Sequence, residues 1–178
     1  CCIDFLVNNA FSIPSMKSLG KTDYQHIRDS VELTVVGTLR LTQQVAAALA
    51  QSKGAVVNIN AMVIRHSQVR YGSYKIAKAA LLAMSQSLAT ELGPQGVRVN
   101  SVVPGYMWGE NLKGYFEHQA KKYGGTVEQI YEYTAANSDL KRLPTTDEVA
   151  NAVLFLASDL ASGITGQALD VNCGEFHA

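Results

Sequence analysis

The chain of 178 residues has the length of one domain, enough to bury roughly 70% of its unfolded surface. Its 15 Lys and Arg balance 15 Asp and Glu, so charge predicts neither a nucleic-acid nor a membrane partner. The sequence shows no bilayer-length apolar run, its first residues show no signal-peptide pattern, and its cysteines have no metal-like spacing. We therefore expect a cytoplasmic protein with no metal site and free thiols at Cys1, Cys2 and Cys173.

Strand and helix patterns alternate along the chain. Short apolar runs predict strands at residues 3–7, 55–59, 97–103 and 168–171. A capping box at residues 22–25 opens a long helical pattern, a second helix runs from 73 to 92, and residues 145–148 cap a third. This alternation predicts one α/β domain with a doubly wound parallel sheet in three αβα layers. Ligands of such folds bind beyond the carboxyl ends of the strands, where Asn8, Asn60 and Pro104 lie.

Tyr74 and Lys78 are the most informative pair in the sequence. At positions i and i+4 of a predicted helix they lie on one face, a single turn apart. A nearby cation favours the ionised form of a phenol, so we expect Lys78 to lower the pKa of Tyr74 and to make it a usable proton donor or acceptor. Two surface residues at helical spacing are the alternative interpretation of the pair alone.

Further motifs surround this pair in a characteristic order. They are Asp4–Ala10 with its Asn-Asn-Ala turn, Gly54–Asn60, Tyr74–Lys78, Val97–Gly105 and the C-terminal segment Asp147–Gln167. Together the five motifs resemble the short-chain dehydrogenase/reductase family, nearly end to end. The resemblance implies a Rossmann-like fold and an NAD(P)-dependent oxidoreductase that interconverts an alcohol and a ketone or aldehyde.

The resemblance also implies roles for individual residues. Tyr74 would be the general acid or base, and Lys78 would lower its pKa and hydrogen-bond the nicotinamide ribose. The backbone of Asn8, Asn9 and Ala10 would line the adenosine and ribose side, although Asn8 equally suits a turn that ends a strand. The nicotinamide pocket would be shaped by Pro104, Gly105 and Met107, where an ordinary strand-ending turn is the alternative.

Two positions depart from the family pattern inside the expected site. Ala61 occupies the usual place of a catalytic serine, and losing one such donor typically lowers the rate about 10²–10³-fold. Asn60 could reach the same space, whereas Ser73 should point to another side of its helix. Thr34 occupies the usual place of an asparagine that holds a water in the proton relay. A smaller departure is Phe11, which replaces a glycine and narrows the space near the ribose.

The sequence also lacks a glycine-rich phosphate loop and the residue that would choose NAD or NADP. Because it begins with Cys1, we expect the first three strands of the family fold to lie upstream, which leaves 1–178 as a partial domain. The strand at 3–7 would then have an unpaired edge, and the chain would be less stable and more prone to associate.

Two features concern partners. Residues 106–140 are polar and aromatic, and resemble a substrate lid, with a surface helical excursion as the alternative. The helix at 73–92 is apolar around most of its circumference, so we expect a homo-oligomer. The partners implied are NAD or NADP and a small alcohol or carbonyl substrate. The competing hypothesis is a non-catalytic module for binding or assembly, favoured by Ala61 and the missing phosphate loop.

Overall fold

A parallel four-stranded sheet forms the centre of the molecule. The computed structural model describes residues 2–177, so Cys1 lies outside the described residues. The strands are β1 (Phe5–Asn8), β2 (Ala55–Ile59), β3 (Arg98–Pro104) and β4 (Ala168–Val171), in the spatial order β1-β2-β3-β4. All three pairings are parallel, with Phe5 opposite Ala55 and Ser101 opposite Ala168. The carboxyl ends of all four strands therefore lie along one edge of the sheet.

Helices connect the strands and cover both faces of the sheet. They are α1 (Tyr24–Val31), α2 (Thr38–Ser52), α3 (Gly72–Leu92), α4 (Glu110–Tyr123), α5 (Val127–Ala135) and α6 (Thr146–Ala157). A π-helical segment, Glu32–Gly37, joins α1 to α2. The long helical pattern predicted after residue 25 is therefore one helix with a π-helical interruption.

The core lies on the two faces of the sheet. Val56 packs with Leu49 and Leu88, whereas its neighbour Val57 packs with Leu156 in a separate cluster. Successive strand residues point to opposite faces, and both faces are buried here, as is usual for a parallel sheet. The predicted doubly wound α/β fold is confirmed.

Strand β1 is one of the two edge strands of the sheet, with β4 at the other edge. Its Phe5 and Val7 side chains are 54% and 37% exposed, in contrast to the fully buried valines of β2 and β3. An exposed strand edge offers unpaired N–H and C=O groups to any chain that can pair with it. Its range, Phe5–Asn8, begins two residues after the start of the predicted strand.

The helix caps bear out one prediction and correct another. The capping box predicted at 145–148 is present, since the Thr145 hydroxyl accepts a hydrogen bond from the Glu148 N–H and the Glu148 carboxylate accepts one from the Thr145 N–H. The box predicted at 22–25 is wrong. Asp23 is the N-cap of α1 there, and its carboxylate accepts from the Gln25 N–H, because the Thr22 hydroxyl donates to the Ser18 carbonyl instead.

Helix α3 buries one side and leaves another open. Leu81 and Leu88 face the core, whereas Ile76 is 40% exposed and Ala83 is also exposed. No helix among residues 2–177 is both long enough and apolar enough to cross a membrane.

Candidate active site

The carboxyl edge of the sheet gathers the predicted site residues. Asn8 is the last residue of β1 and Pro104 the last of β3, while Asn60 follows β2 directly. Helix α3 starts near the same edge, after a short 3₁₀ turn at Met62–Ile64. The fold therefore brings residues from three strands and one helix to one place.

Tyr74 and Lys78 lie together at the end of β2. Lys78 is only 2% exposed, and its ammonium donates a hydrogen bond to the Ile59 carbonyl over 2.7 Å. The same Nζ lies 5.6 Å from the centroid of the Tyr74 ring. The turn of α3 that carries both residues thus places a cation against the face of the phenol.

The pKa values correct the sequence prediction. We expected Lys78 to lower the pKa of Tyr74, but burial raises that pKa above its ordinary value, and the neighbouring Tyr71 raises it further. Burial also lowers the pKa of Lys78 from 10.5 to about 8. The reason is that removal from water disfavours both charged forms, and the Lys78 ammonium bonds a carbonyl rather than the phenol oxygen. Tyr74 in this structure is accordingly a protonated phenol.

The position of the expected serine offers no side-chain donor. Ala61 has extended backbone, and its N–H donates to the Asn60 carbonyl oxygen Oδ1 over 2.9 Å. The Asn60 amide nitrogen donates to the Lys78 carbonyl over 3.2 Å. The Asn60 side chain therefore holds the backbone on both sides of the site, and the suggestion that it reaches the serine's space stays a prediction.

Neither nearby serine faces this position. The Ser67 hydroxyl accepts from the ammonium of Lys75, and Ser73 is buried with its hydroxyl donating towards Ser15. The expectation that Ser73 points to another side of its helix agrees with this contact. Neither Ser67 nor Ser73 therefore presents its hydroxyl at the position of Ala61.

Thr34 lies inside the π-helical segment and is buried. That segment packs against α3, the helix that carries Tyr74 and Lys78. π-Helical turns are rare and are found frequently at functional sites. The sequence pattern did not reveal this interruption, because apolar spacing alone does not separate a π turn from an α-helix.

The residues at the end of β1 differ in what they contact: one ties neighbouring elements together, and the next two are exposed. The Asn8 amide donates to Asn58 on β2 over 2.8 Å, and Asn58 donates in turn to Ser85 on α3 over 2.8 Å. The Asn8 side chain therefore ties β1 to its neighbours, in agreement with its alternative interpretation. Asn9 and Ala10 are exposed and their backbone is open to a ligand.

Phe11 is closer to the site than the sequence suggested. Its ring centroid lies 5.8 Å from Lys78 Nζ and 6.2 Å from the Tyr74 ring, which it meets edge-on. The Lys78 ammonium is therefore enclosed between two aromatic rings. Half of the Phe11 surface is exposed, so the ring lies at the opening above the pair.

The turn after β3 is shaped by its neighbour β4. The Gly105 N–H donates to the Val171 carbonyl, and a Cβ on Gly105 would lie 3.3 Å from the Asn172 Cβ. Gly105 thus allows a close approach between two backbone segments, which supports the structural interpretation of this turn. Pro104 is buried at the strand end and Met107 is partly exposed beside it.

An open cavity of about 420 Å³ lies next to this turn. Tyr106 lines it, together with side chains of α4 and α5, and Glu175 closes one side, where burial raises the pKa of its carboxyl group. The Tyr106 hydroxyl lies 3.1 Å from that of Tyr71. Residues 106–140 therefore form two helices that border a cavity, whereas Trp108 packs inside them against Tyr131.

The fold and the site define a Rossmann-like α/β domain with a Tyr–Lys pair at the carboxyl edge of its sheet. A protein-family profile described as enoyl-(acyl carrier protein) reductase matches residues 2–175. The chain belongs to the short-chain dehydrogenase/reductase family.

Similar proteins support this assignment. The chain is 36% identical to a 3-oxoacyl-[acyl-carrier-protein] reductase of Aquifex aeolicus over 98% of its own length and 66% of the relative. It is 35% identical to an L-fucose dehydrogenase of Bos taurus over 97% of the chain and 62% of the relative. A solved structure described as a putative betaketoacyl-ACP reductase superposes with a TM-score of 0.81 at 32% identity, covering 97% of this chain and 68% of that one. The chain thus spans about two thirds of the length of the curated relatives it matches.

Proposed function

We propose that this chain carries the proton-transfer half of a nicotinamide-dependent oxidoreductase that interconverts an alcohol and a ketone or aldehyde. The observation that carries the proposal is the contact of Tyr74 with the buried ammonium of Lys78 at the end of β2. Membership of the family supports it, since the relatives named above are a reductase and a dehydrogenase.

Tyr74 is the proton donor in the direction of reduction. Its phenol is protonated, because burial raises its pKa, and a protonated phenol can give its hydrogen to a carbonyl oxygen that is gaining negative charge. The cofactor, when bound, supplies the hydride. In oxidation the phenolate must form first, at a cost that burial increases, and the Lys78 ammonium against the ring would offset part of that cost.

The lysine side of the site fits a nicotinamide ribose. An ammonium has three hydrogens, and among the described residues only the Ile59 carbonyl accepts one from Lys78. The remaining hydrogens of this buried group suit ribose hydroxyls, and the exposed backbone of Asn9 and Ala10 lies on the same edge. The Phe11 ring has to move aside for a ligand to reach the ammonium. Both NAD and NADP remain candidates.

The substrate belongs to the small alcohols and carbonyl compounds in this proposal. The relatives' names include a 3-oxoacyl reductase, an L-fucose dehydrogenase and a 3alpha-hydroxysteroid dehydrogenase, so the family covers acyl, sugar and ring substrates. The cavity beside Tyr106, bordered by α4 and α5, is our candidate substrate site, with residues 106–140 as its lid. A homo-oligomer formed through the exposed side of α3 and a cytoplasmic location also stay predictions.

A second candidate function is a non-catalytic binding or assembly module. The observation in its favour is Ala61, which leaves the strand side of the site without the usual hydroxyl. Such a module would keep the fold and need no turnover.

The test separates binding from chemistry. We expect the purified chain to bind NADH or NADPH, with fluorescence titration as the measurement. We also expect it to oxidise the bound cofactor when ethyl acetoacetate or cyclohexanone is supplied as a carbonyl probe. Tyr74→Phe should lower turnover about 10²–10⁴-fold and leave cofactor affinity unchanged. Lys75→Met is the matched control, because the Lys75 ammonium bonds the His66 carbonyl and Ser67, away from the phenol. Folded protein without turnover, both as wild type and with Ala61→Ser, would favour the binding module.

A further inference from the structure

Beyond this function, on which the inference rests, we propose that the hydroxyl of Tyr71, polarised by Tyr106, replaces the missing serine as the second hydrogen-bond donor to the substrate oxygen. Tyr71 would be a catalytic residue and Tyr106 a positioning residue. A carbonyl oxygen that gains negative charge is stabilised by a second hydrogen-bond donor besides the proton donor. The alanine side chain at position 61 cannot supply that donor.

Three nearby polar side chains are turned to other partners. Asn60 is buried and gives one amide hydrogen to the Lys78 carbonyl, the exposed Ser67 hydroxyl lies against the Lys75 ammonium, and the buried Ser73 hydroxyl donates towards Ser15. The phenols close to Tyr74 are therefore the alternative donors.

Tyr71 lies on the catalytic face of α3. It is the N-cap residue of that helix, and positions 71, 74 and 78 follow the i, i+3, i+7 spacing of a single helical stripe. Its phenol is near enough to that of Tyr74 for charge on one to affect the other. Tyr71 is therefore about one turn before the proton donor, at the N-terminal end of α3.

The partner of Tyr71 connects it to the cavity. The two hydroxyl oxygens of Tyr71 and Tyr106 are 3.1 Å apart, and Tyr106 lines the cavity of about 420 Å³. The pair has two hydroxyl hydrogens, and one of them is used between the two oxygens. Burial and the hydrogen bond to Tyr71 raise the pKa of Tyr106, which fits Tyr106 as the donor within the pair.

This arrangement leaves the Tyr71 hydrogen free. When Tyr106 donates to the Tyr71 oxygen, the Tyr71 O–H becomes a stronger donor, because hydrogen bonds in a chain polarise one another. In the reaction, Tyr74 transfers its proton to the carbonyl oxygen while the hydride reaches the carbon. Tyr71 keeps its own proton throughout and contributes only a hydrogen bond, so the step balances without any further reactant.

The experiment compares five variants, including Ala61→Ser alone, with wild type in steady-state reduction of the carbonyl probe that wild type turns over fastest. Tyr71→Phe should lower kcat about 10²–10³-fold with little change in KM. Tyr106→Phe should lower kcat less, about tenfold, because it removes only the polarising bond. Tyr24→Phe, a 79% exposed phenol at the start of α1, should behave as wild type. Ala61→Ser added to Tyr71→Phe should restore most of the lost kcat, which a purely structural role of Tyr71 does not predict.

Three results would overturn the inference. Wild-type kcat in folded Tyr71→Phe would show that this hydroxyl is not used. A rise of about 10²–10³-fold on introducing Ala61→Ser into wild type would show that the donor position was empty, and this measurement does not depend on the folding of Tyr71→Phe. Cofactor binding without turnover in wild type and in Ala61→Ser would refute the proposed function itself, and the inference with it.

Discussion

The two sides of the candidate site are built in different ways. On the helix side, one turn of α3 carries Tyr74 and Lys78, and the lysine is buried and anchored to the Ile59 carbonyl. On the strand side, Ala61 and Asn60 use their polar groups to hold the backbone. The helix side therefore holds both residues of the proposed proton-transfer pair, whereas the strand side has an alanine at the place where the family pattern has a serine.

A site built on one helix turn depends on spacing, while a site built across elements depends on single side chains. The i, i+4 spacing of the helix side keeps both groups together wherever α3 packs. On the strand side, the hydrogen bonds of Asn60 form with an alanine at position 61, so the side chain there is independent of them.

The largest effect is expected from removing the proton donor. Tyr74→Phe should lower kcat about 10²–10⁴-fold, because general acid catalysis contributes an effect of that size. The measurement is NADH or NADPH oxidation at 340 nm with a carbonyl probe, and Tyr24→Phe is the control for removal of a phenol hydroxyl. A rate within a factor of two of wild type would transfer the acid role to another group.

Lys78 should show itself in the pH dependence of stability. Burial lowers its pKa from 10.5 to about 8. Below about pH 8 the folded state therefore bears the full free-energy cost of a buried ammonium, and this cost disappears as the pH rises towards 10.5. Between about pH 7 and pH 10 this group alone should raise the free energy of unfolding by about 2 kcal/mol.

Urea unfolding of wild type and Lys78→Met at several pH values measures this contribution. The difference between the two proteins should change with pH in the direction given, whereas Lys75→Met should track wild type. An equal slope for wild type and Lys78→Met would mean that the ammonium is hydrated in solution.

A smaller effect is expected from Phe11. Phe11→Ala should let water reach the Lys78 ammonium, so that the pKa of Lys78 moves back towards its ordinary value. The pH-dependent gain in stability should then shrink by about 1 kcal/mol or less, since the lost cation–π contact opposes the change. Ile13→Ala, in the same segment and 74% exposed, is the matched control. A steeper pH dependence in Phe11→Ala would show that the ring stabilises the cation more than it excludes water.

The smallest effect on stability is expected at the strand side. Ala61→Ser should alter the free energy of unfolding by less than about 0.5 kcal/mol, because the position is half-buried and its backbone bond to Asn60 is independent of the side chain. Thermal unfolding of the two proteins at neutral pH checks this. A loss of more than about 1 kcal/mol would mean that the space for the hydroxyl has closed.

Much of the fold was predictable from local patterns. The strands at 55–59 and 168–171 match the predicted ranges, and the Thr145 cap and the end of α3 at Leu92 were read from the sequence. The cap predicted at 22–25 was wrong, because the Thr22 hydroxyl donates to the carbonyl four residues before it instead of capping the helix N-terminus. Several polar residues close together allow more than one capping pattern, and only packing decides among them.

The site was predictable as a set of positions but not as a set of interactions. The pairing of Tyr74 with Lys78 followed from helical spacing. The rise in the Tyr74 pKa, the engagement of Asn60 and the contact of Phe11 with both residues did not, because they depend on burial and on distant segments. The same holds for Tyr71 and Tyr106, which meet across 35 positions of the chain.

By itself, the sequence determined the alternation of strands and helices, the family motifs and the common face of Tyr74 and Lys78, because these follow from periodicity and from spacing along one element. The tertiary structure alone sets which of these groups are buried from water, which hydrogen-bond partners each one has and which aromatic rings surround Lys78. Burial and long-range contact set those properties, and neither is encoded in the spacing of neighbouring residues.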